Sequence, residues 1–224
     1  MKVGPNVERW REIASQELSR QGVPLPVNLV LGVIWTESRG KPGITHPKSK
    51  ASGIMQVMPN TLKWYNEQNP SSTVSLDTLR SKDHGREQIR VGIWVMAQFW
   101  KGAYRYLKNR LDEIPTEQLA RIADLFYVAG PGATKKKLDQ VEPPFLEAVE
   151  ARFPKWNALP HPRNVFNHVP SDTVWNLDAI SQWLHGSVKK EKMTKGVSIL
   201  ALGVILIIYW YFLREKKNDG ESKN

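Results

Sequence analysis

Glu37 closes an apolar helical stripe. In the run after Pro26, apolar residues fall at Val27, Val30, Leu31 and Ile34, and the next positions on that face are 37 and 38, because side chains three and four apart share one side of a helix. A carboxyl group so placed is desolvated by its neighbours and lies against the negative end of the helix dipole. Both effects penalise the ionised form and raise the pKa. An acid that keeps its proton near neutrality suits protonation of a glycosidic leaving oxygen. The competing reading of the same position is a partly buried Glu paired with Arg39 or Lys41.

Other chemistries are excluded or unsupported. The chain has no cysteine, which removes disulfides, thiolate nucleophiles and cysteine-ligated metals. Its five histidines are scattered without metal-ligand spacing, so neither a metal nor a cofactor is expected. The net charge of +10 calls for an anionic partner, and nucleic acid, anionic lipid and a carboxylate-bearing cell wall all qualify. No basic run is interleaved with a readout motif, so no specific nucleic-acid partner is expected.

Three blocks of the sequence, in order, resemble a known family. They are Glu37-Ser38, then Ser52-Gly53-Ile54-Met55-Gln56-Val57-Met58-Pro59-Asn60-Thr61, then Tyr127-Val128-Ala129-Gly130-Pro131-Gly132. These resemble the Glu-Ser pair, the Gly-Leu-Met-Gln-type loop and the Tyr-Asn-Ala-Gly turn of the soluble lytic transglycosylase (SLT) domain of the lysozyme-like superfamily. The stretch 83–99 is similar to the helix that the family places between the last two blocks. The resemblance covers roughly residues 18–137 and implies a lyase acting on peptidoglycan. Glu37 would be the sole catalytic carboxyl, giving a proton to the glycosidic oxygen and taking one from the sugar's own 6-hydroxyl, so that a 1,6-anhydromuramoyl end forms without water. By the same resemblance Ser38 and Gln56 would hydrogen-bond or orient substrate. Ser52, Gly53, Ile54, Met55 and Gln56 would form a floor for the glycan, and Tyr127, Ala129 and Gly130 would line the site, with Tyr127 close to Glu37. Val128 stands where the family usually has Asn, which removes one polar contact, and Ile54 replaces Leu.

The elements that must position these residues are mainly helical. An amphipathic start, with Val7, Trp10, Ile13, Ala14 and Leu18 near helical spacing, is followed by a helix opened by Pro24 and Pro26 and stopped near Gly40 and Pro42. A long helix is expected over 86–111, where Ile89, Ile93, Met96, Trp100, Tyr104 and Leu107 make one face. Another is expected over 116–128, ending at Gly130-Pro131-Gly132. No strand pattern persists. Of the tryptophans, Trp64 follows the loop block in a polar stretch and is the one placed to stack on a sugar; the others read as core.

The expected architecture is a lysozyme-like domain over 1–141, a Pro-rich stalk over 142–195, a transmembrane helix over 196–213 and a polar tail over 214–224. Six prolines between 143 and 170 interrupt any long helix in the stalk, which also reads as a strap over the domain. A short helix is plausible there over 173–184, with Asp172 as its cap. The stretch 196–213 is free of charge and as a helix would rise roughly 27 Å, enough for a thin bilayer. Four lysines precede it, at 189, 190, 192 and 195, and Arg214, Lys216 and Lys217 follow. Residues 1–16 lack the apolar core of a secretory signal, so export by a cleaved signal is not expected.

The partners that follow are peptidoglycan strands, a lipid bilayer through 196–213 and other virion proteins. A single-pass protein of this kind suits the membrane of a membrane-containing phage, or otherwise a bacterial inner membrane. Two alternatives stay open at this point. A hydrolysing muramidase on the same fold needs a second carboxylate about 5–9.5 Å from the first, and Glu67, Asp77 and Asp83 are available. A non-catalytic wall-binding protein needs none.

Overall fold

A helix entered through proline organises the molecule. In the computed structural model, which describes residues 3–111, 114, 116–140 and 165–186, α3 runs Val27–Ser38 from an extended Pro26. It is buried on nearly every side, through Leu29, Val30, Leu31, Gly32, Val33 and Ile34, so it is a core helix. Around it stand α1 (Pro5–Glu8), α2 (Arg11–Arg20), α4 (Pro59–Gln68), α5 (Leu76–Arg80), α6 (Gly85–Lys108), α7 (Thr116–Ala129) and α8 (Pro131–Leu138). The fold is mainly helical. Among the described residues extended pairing is confined to two isolated bridges, Thr45 with Ser52 and Ser52 with Val57.

The core is sealed by large apolar side chains. Leu31, Ile34, Trp100, Phe126, Ile89 and Ile122 are all but fully buried, and each such burial contributes about 1.5–3 kcal/mol relative to exposure. α6 and α2 are joined by Gln21, which donates to the Arg90 carbonyl at 3.0 Å. Buried Glu17 is joined to Arg86 at 3.1 Å. α7 ends where Gly130 takes a φ of 82°, and Pro131 then opens α8, a first-turn position that needs no N–H.

Two expectations about helices need correction. The amphipathic start is not one helix. Trp10 Nε1 (2.9 Å) and Arg9 (3.1 Å) both donate to the Gly40 carbonyl, and reaching the end of α3 turns the chain between α1 and α2. The late short helix begins at 177, four residues after the expected start. Its first turn is capped by Asn176, which accepts from the Ala179 N–H at 3.0 Å, and not by Asp172.

Of the expected stalk, the described part packs as a strap. Val165 and Val169 lie on Gly32, where an added Cβ would stand 3.1 Å from each. Asn28 donates to the Thr173 hydroxyl at 2.9 Å. Trp175 stacks on Trp100 at 6.2 Å between centroids, and Lys101 lies 5.0 Å from the Trp183 ring centre. Contacts divide the chain into units Met1–Trp183 and Leu184–Asn224; of the second, only the helical turn 184–186 is described. The expected transmembrane segment and tail lie outside the described residues, among which no helix is long and apolar enough to cross a membrane.

Candidate active site

The end of α3 is built to present Glu37. Arg39 takes the left-handed conformation (φ 56°) and stops the helix. Ser38 is buried, and its Oγ donates to the Ile34 carbonyl and accepts from the Gly40 N–H, both at 3.2 Å. Its hydroxyl is thus spent inside the chain, fixing the turn that carries Glu37. The Arg39 guanidinium lies 4.6 Å from the Trp35 ring centre. Glu37 itself is half-buried.

The loop after α3 is held from three directions. Its own frame comes from Ser52 and Val57, which exchange N–H···O bonds of 3.0 and 2.9 Å, and from the Gly53 N–H on the Ile44 carbonyl at 2.8 Å. From α6, the Gln88 carbonyl oxygen accepts from Ile54 N (3.0 Å) and Gly43 N (3.4 Å). The Gln88 amide nitrogen donates to the carbonyls of Thr78 (3.1 Å) and Ser81 (2.6 Å). Gln88 is only 1% exposed, so these four bonds satisfy a buried amide completely. Also on α6, Gly92 leaves room for Met55: a Cβ at 92 would stand 2.6 Å from the Met55 Cβ. From α7, Tyr127 donates to the Met55 carbonyl at 2.6 Å.

Within the loop, Gly53 has a φ of 84° and Gln56 one of 48°. The second is a strained conformation for a residue with a side chain. Gln56 offsets it by donating both amide hydrogens inward, to Ile44 O (3.1 Å) and Gly53 O (2.9 Å), which leaves its carbonyl oxygen as the group for a ligand. Ile54 and Met55 have fully buried side chains, and the Ser52 hydroxyl, also buried, donates to Lys50 O at 3.0 Å. These three support the loop from beneath. Ala129 is exposed and Gly130 has open space around it.

Tyr127 joins the first and last blocks. Burial pushes its hydroxyl pKa well above the ordinary value, and the negative charges of Glu37 and then Asp124 push it further. The shift favours the neutral phenol, which donates to the loop at the Met55 carbonyl. Its ring meets Phe99 edge-on at 5.9 Å.

Sequence reasoning passed over Gln88, Gly92 and Asp124. Gln88 and Gly92 were legible in principle, as an amide and a gap one turn apart on a buried stripe of α6. Asp124, 6% exposed, is an acid inside the apolar run Ile122–Phe126. Trp64 is exposed as its polar surroundings suggest, and packs edge-on against Trp94 at 4.6 Å. Met58, at the loop's end, is 41% exposed. Glu67, Asp77 and Asp83 all face solvent. A cavity of about 780 Å³ lies on the other side of α3, lined by Asn28, Leu31, His168 and Asp172 and not by Glu37; residues 28 and 37 point in opposite directions on a helix.

One buried-loop frame, one half-buried glutamate at a helix end and one neutral tyrosine between them define a lysozyme-like glycan-cleaving domain. The family model for the transglycosylase SLT domain matches residues 14–144, more than half of the chain. The chain belongs to that family and is a peptidoglycan lytic transglycosylase. No curated protein and no solved structure matches it.

Proposed function

We propose that the chain cleaves the β-1,4 bond between N-acetylmuramoyl and N-acetylglucosamine residues without water. Glu37 gives its proton to the leaving oxygen as the C1–O bond breaks. The muramoyl 6-hydroxyl then attacks C1 and returns its proton to Glu37, leaving a 1,6-anhydromuramoyl end. The observation that carries this reading is the Tyr127 hydroxyl, anchored on the Met55 carbonyl and raised in pKa by burial first and then by the Glu37 charge. It brings the three blocks to one place around one accessible carboxyl group. Gln56 and the backbone of 53–56 bind the glycan, and Ala129 and Gly130 leave its path open.

One observation favours a second reading. Asp124 also acts on the Tyr127 hydroxyl, so a second carboxyl is near the site, as hydrolysis would require. Its burial, at 6% exposure, leaves little room for an attacking water and weighs against that role. The charge-free stretch 196–213 supports a membrane tether, and a tethered wall-cutting domain suits local wall opening during phage entry or lysis. Mass spectrometry of muropeptides released from purified peptidoglycan tests the chemistry. Anhydro ends support the lyase, and reducing ends would establish hydrolysis.

A further inference from the structure

The stripe of α6 opposite Gln88 and Gly92 borders a second cavity, of about 310 Å³. Arg90, Trp94 and Lys101 from α6, Arg20 from α2 and Tyr65 from α4 form its walls, and among the described residues no acidic one lines it. Arg90 makes no ion pair among the described residues, and its Nε is buried without a hydrogen-bond partner. Arg20 has Glu17 at 3.8 Å, but that carboxylate is held closer by Arg86, at 3.1 Å. Lys101 lies over the Trp183 ring. The guanidinium groups of Arg90 and Arg20 on one concave wall concentrate anions. A guanidinium nitrogen buried without an acceptor is costly, and the guanidinium that lines the cavity offers a carboxylate a planar set of N–H donors.

We propose that this cavity binds a carboxylate of the peptide branches of peptidoglycan. The identity of the polymer rests on the lytic reading above; the anion site rests on the cavity alone. Position supports a branch of the same substrate. The Trp94 wall carries Trp64 on its edge, and Trp64 stands exposed on α4, the helix into which the catalytic loop runs. The volume is at the low end for small-ligand sites and fits a peptide terminus better than a sugar pair. A free phosphate offers similar oxygens, so the test carries both.

Calorimetric titration of the full chain in mild non-ionic detergent would use three probes: an acidic stem peptide, the same peptide with its carboxylates amidated, and inorganic phosphate. The acidic peptide should bind and the amidated one should not, and Arg90→Gln should weaken binding about tenfold, the effect of losing a charge-assisted pair. In cleavage assays the same variant should raise KM on peptide-bearing peptidoglycan more than on peptide-free strands. Equal binding of the two peptides, absence of binding, or selective capture of phosphate would each overturn the proposal. Should Arg90→Gln fail to fold, Arg20→Gln, at a side chain 59% exposed, makes the same test. Failure of the unaltered chain to cleave any strand would instead refute the lytic reading, since the titration reads the cavity without cleavage.

Discussion

Tyr127 is a hinge pin between chemistry and scaffold. Its hydroxyl hydrogen is committed to the Met55 carbonyl, and its raised pKa keeps that hydrogen in place as pH rises. Tyr127→Phe should leave a buried carbonyl without a donor and cost about 1–3 kcal/mol of stability. Because the loop loses its tie to α7, activity should fall further than the stability loss explains, and thermal melts beside turnover assays would separate the two. A Tyr127→Phe protein with unaltered turnover would show that the bond is ornamental to catalysis. Gly92→Ala makes a complementary probe. The added methyl would meet the Met55 Sδ most closely and stand 2.6 Å from its Cβ, and because the Cβ cannot swing away as the sulfur can, overpacking should cost about 1–3 kcal/mol and displace the loop. A melt unchanged from the parent would mean that Met55 has another place to go.

At the scale of elements, the strap over α3 contains a titrating group. His168 is 8% exposed, and its pKa is lowered by burial and then by the Arg39 charge. A base whose folded pKa is depressed is destabilising once the unfolded chain takes up protons. Stability from this site is therefore complete above about pH 6.5 and is lost as pH falls through the lower folded value. Between pH 7 and 5 the parent should lose more thermal stability than His168→Gln, and amide exchange in 165–176 should rise. Identical pH profiles would remove His168 from the account. The strap also shows what was legible beforehand. Helical periodicity placed α3, α6 and α7 within a few residues, because long apolar stripes leave one solution. Glu37 stood out as a charge on such a stripe. The short α4 and α5 carry too few turns for a stripe to show, and the packing of 165–183 depends on Gly32, whose missing side chain reads as ordinary helix sequence. The stripe of α6 could flag Gln88 as a buried amide but not what it binds, because its partners are backbone groups from three distant segments.

For the whole molecule, a charge of +10 should draw the enzyme to an anionic wall, and screening should weaken that attraction. Cleavage of intact peptidoglycan should accordingly decline as salt rises from about 0.01 to 0.15 M, where the Debye length shrinks from about 30 to 8 Å; rates that do not change would place the basic groups elsewhere than on the wall. A chain ending at Lys190 should stay soluble without detergent and keep its cutting activity, because the three blocks and the strap precede that point. Loss of activity in a folded truncated chain would mean that the last residues serve the site. The central claim is that Glu37 alone moves the proton, twice, with no water consumed. It is tested most directly by mass spectrometry of the muropeptides released in heavy-oxygen water by the parent and by Glu37→Gln. The parent should release anhydromuramoyl ends carrying no solvent oxygen, and Glu37→Gln, folded as the parent is, should lose at least about a hundredfold in rate. Labelled reducing ends, or undiminished cleavage by the variant, would contradict it.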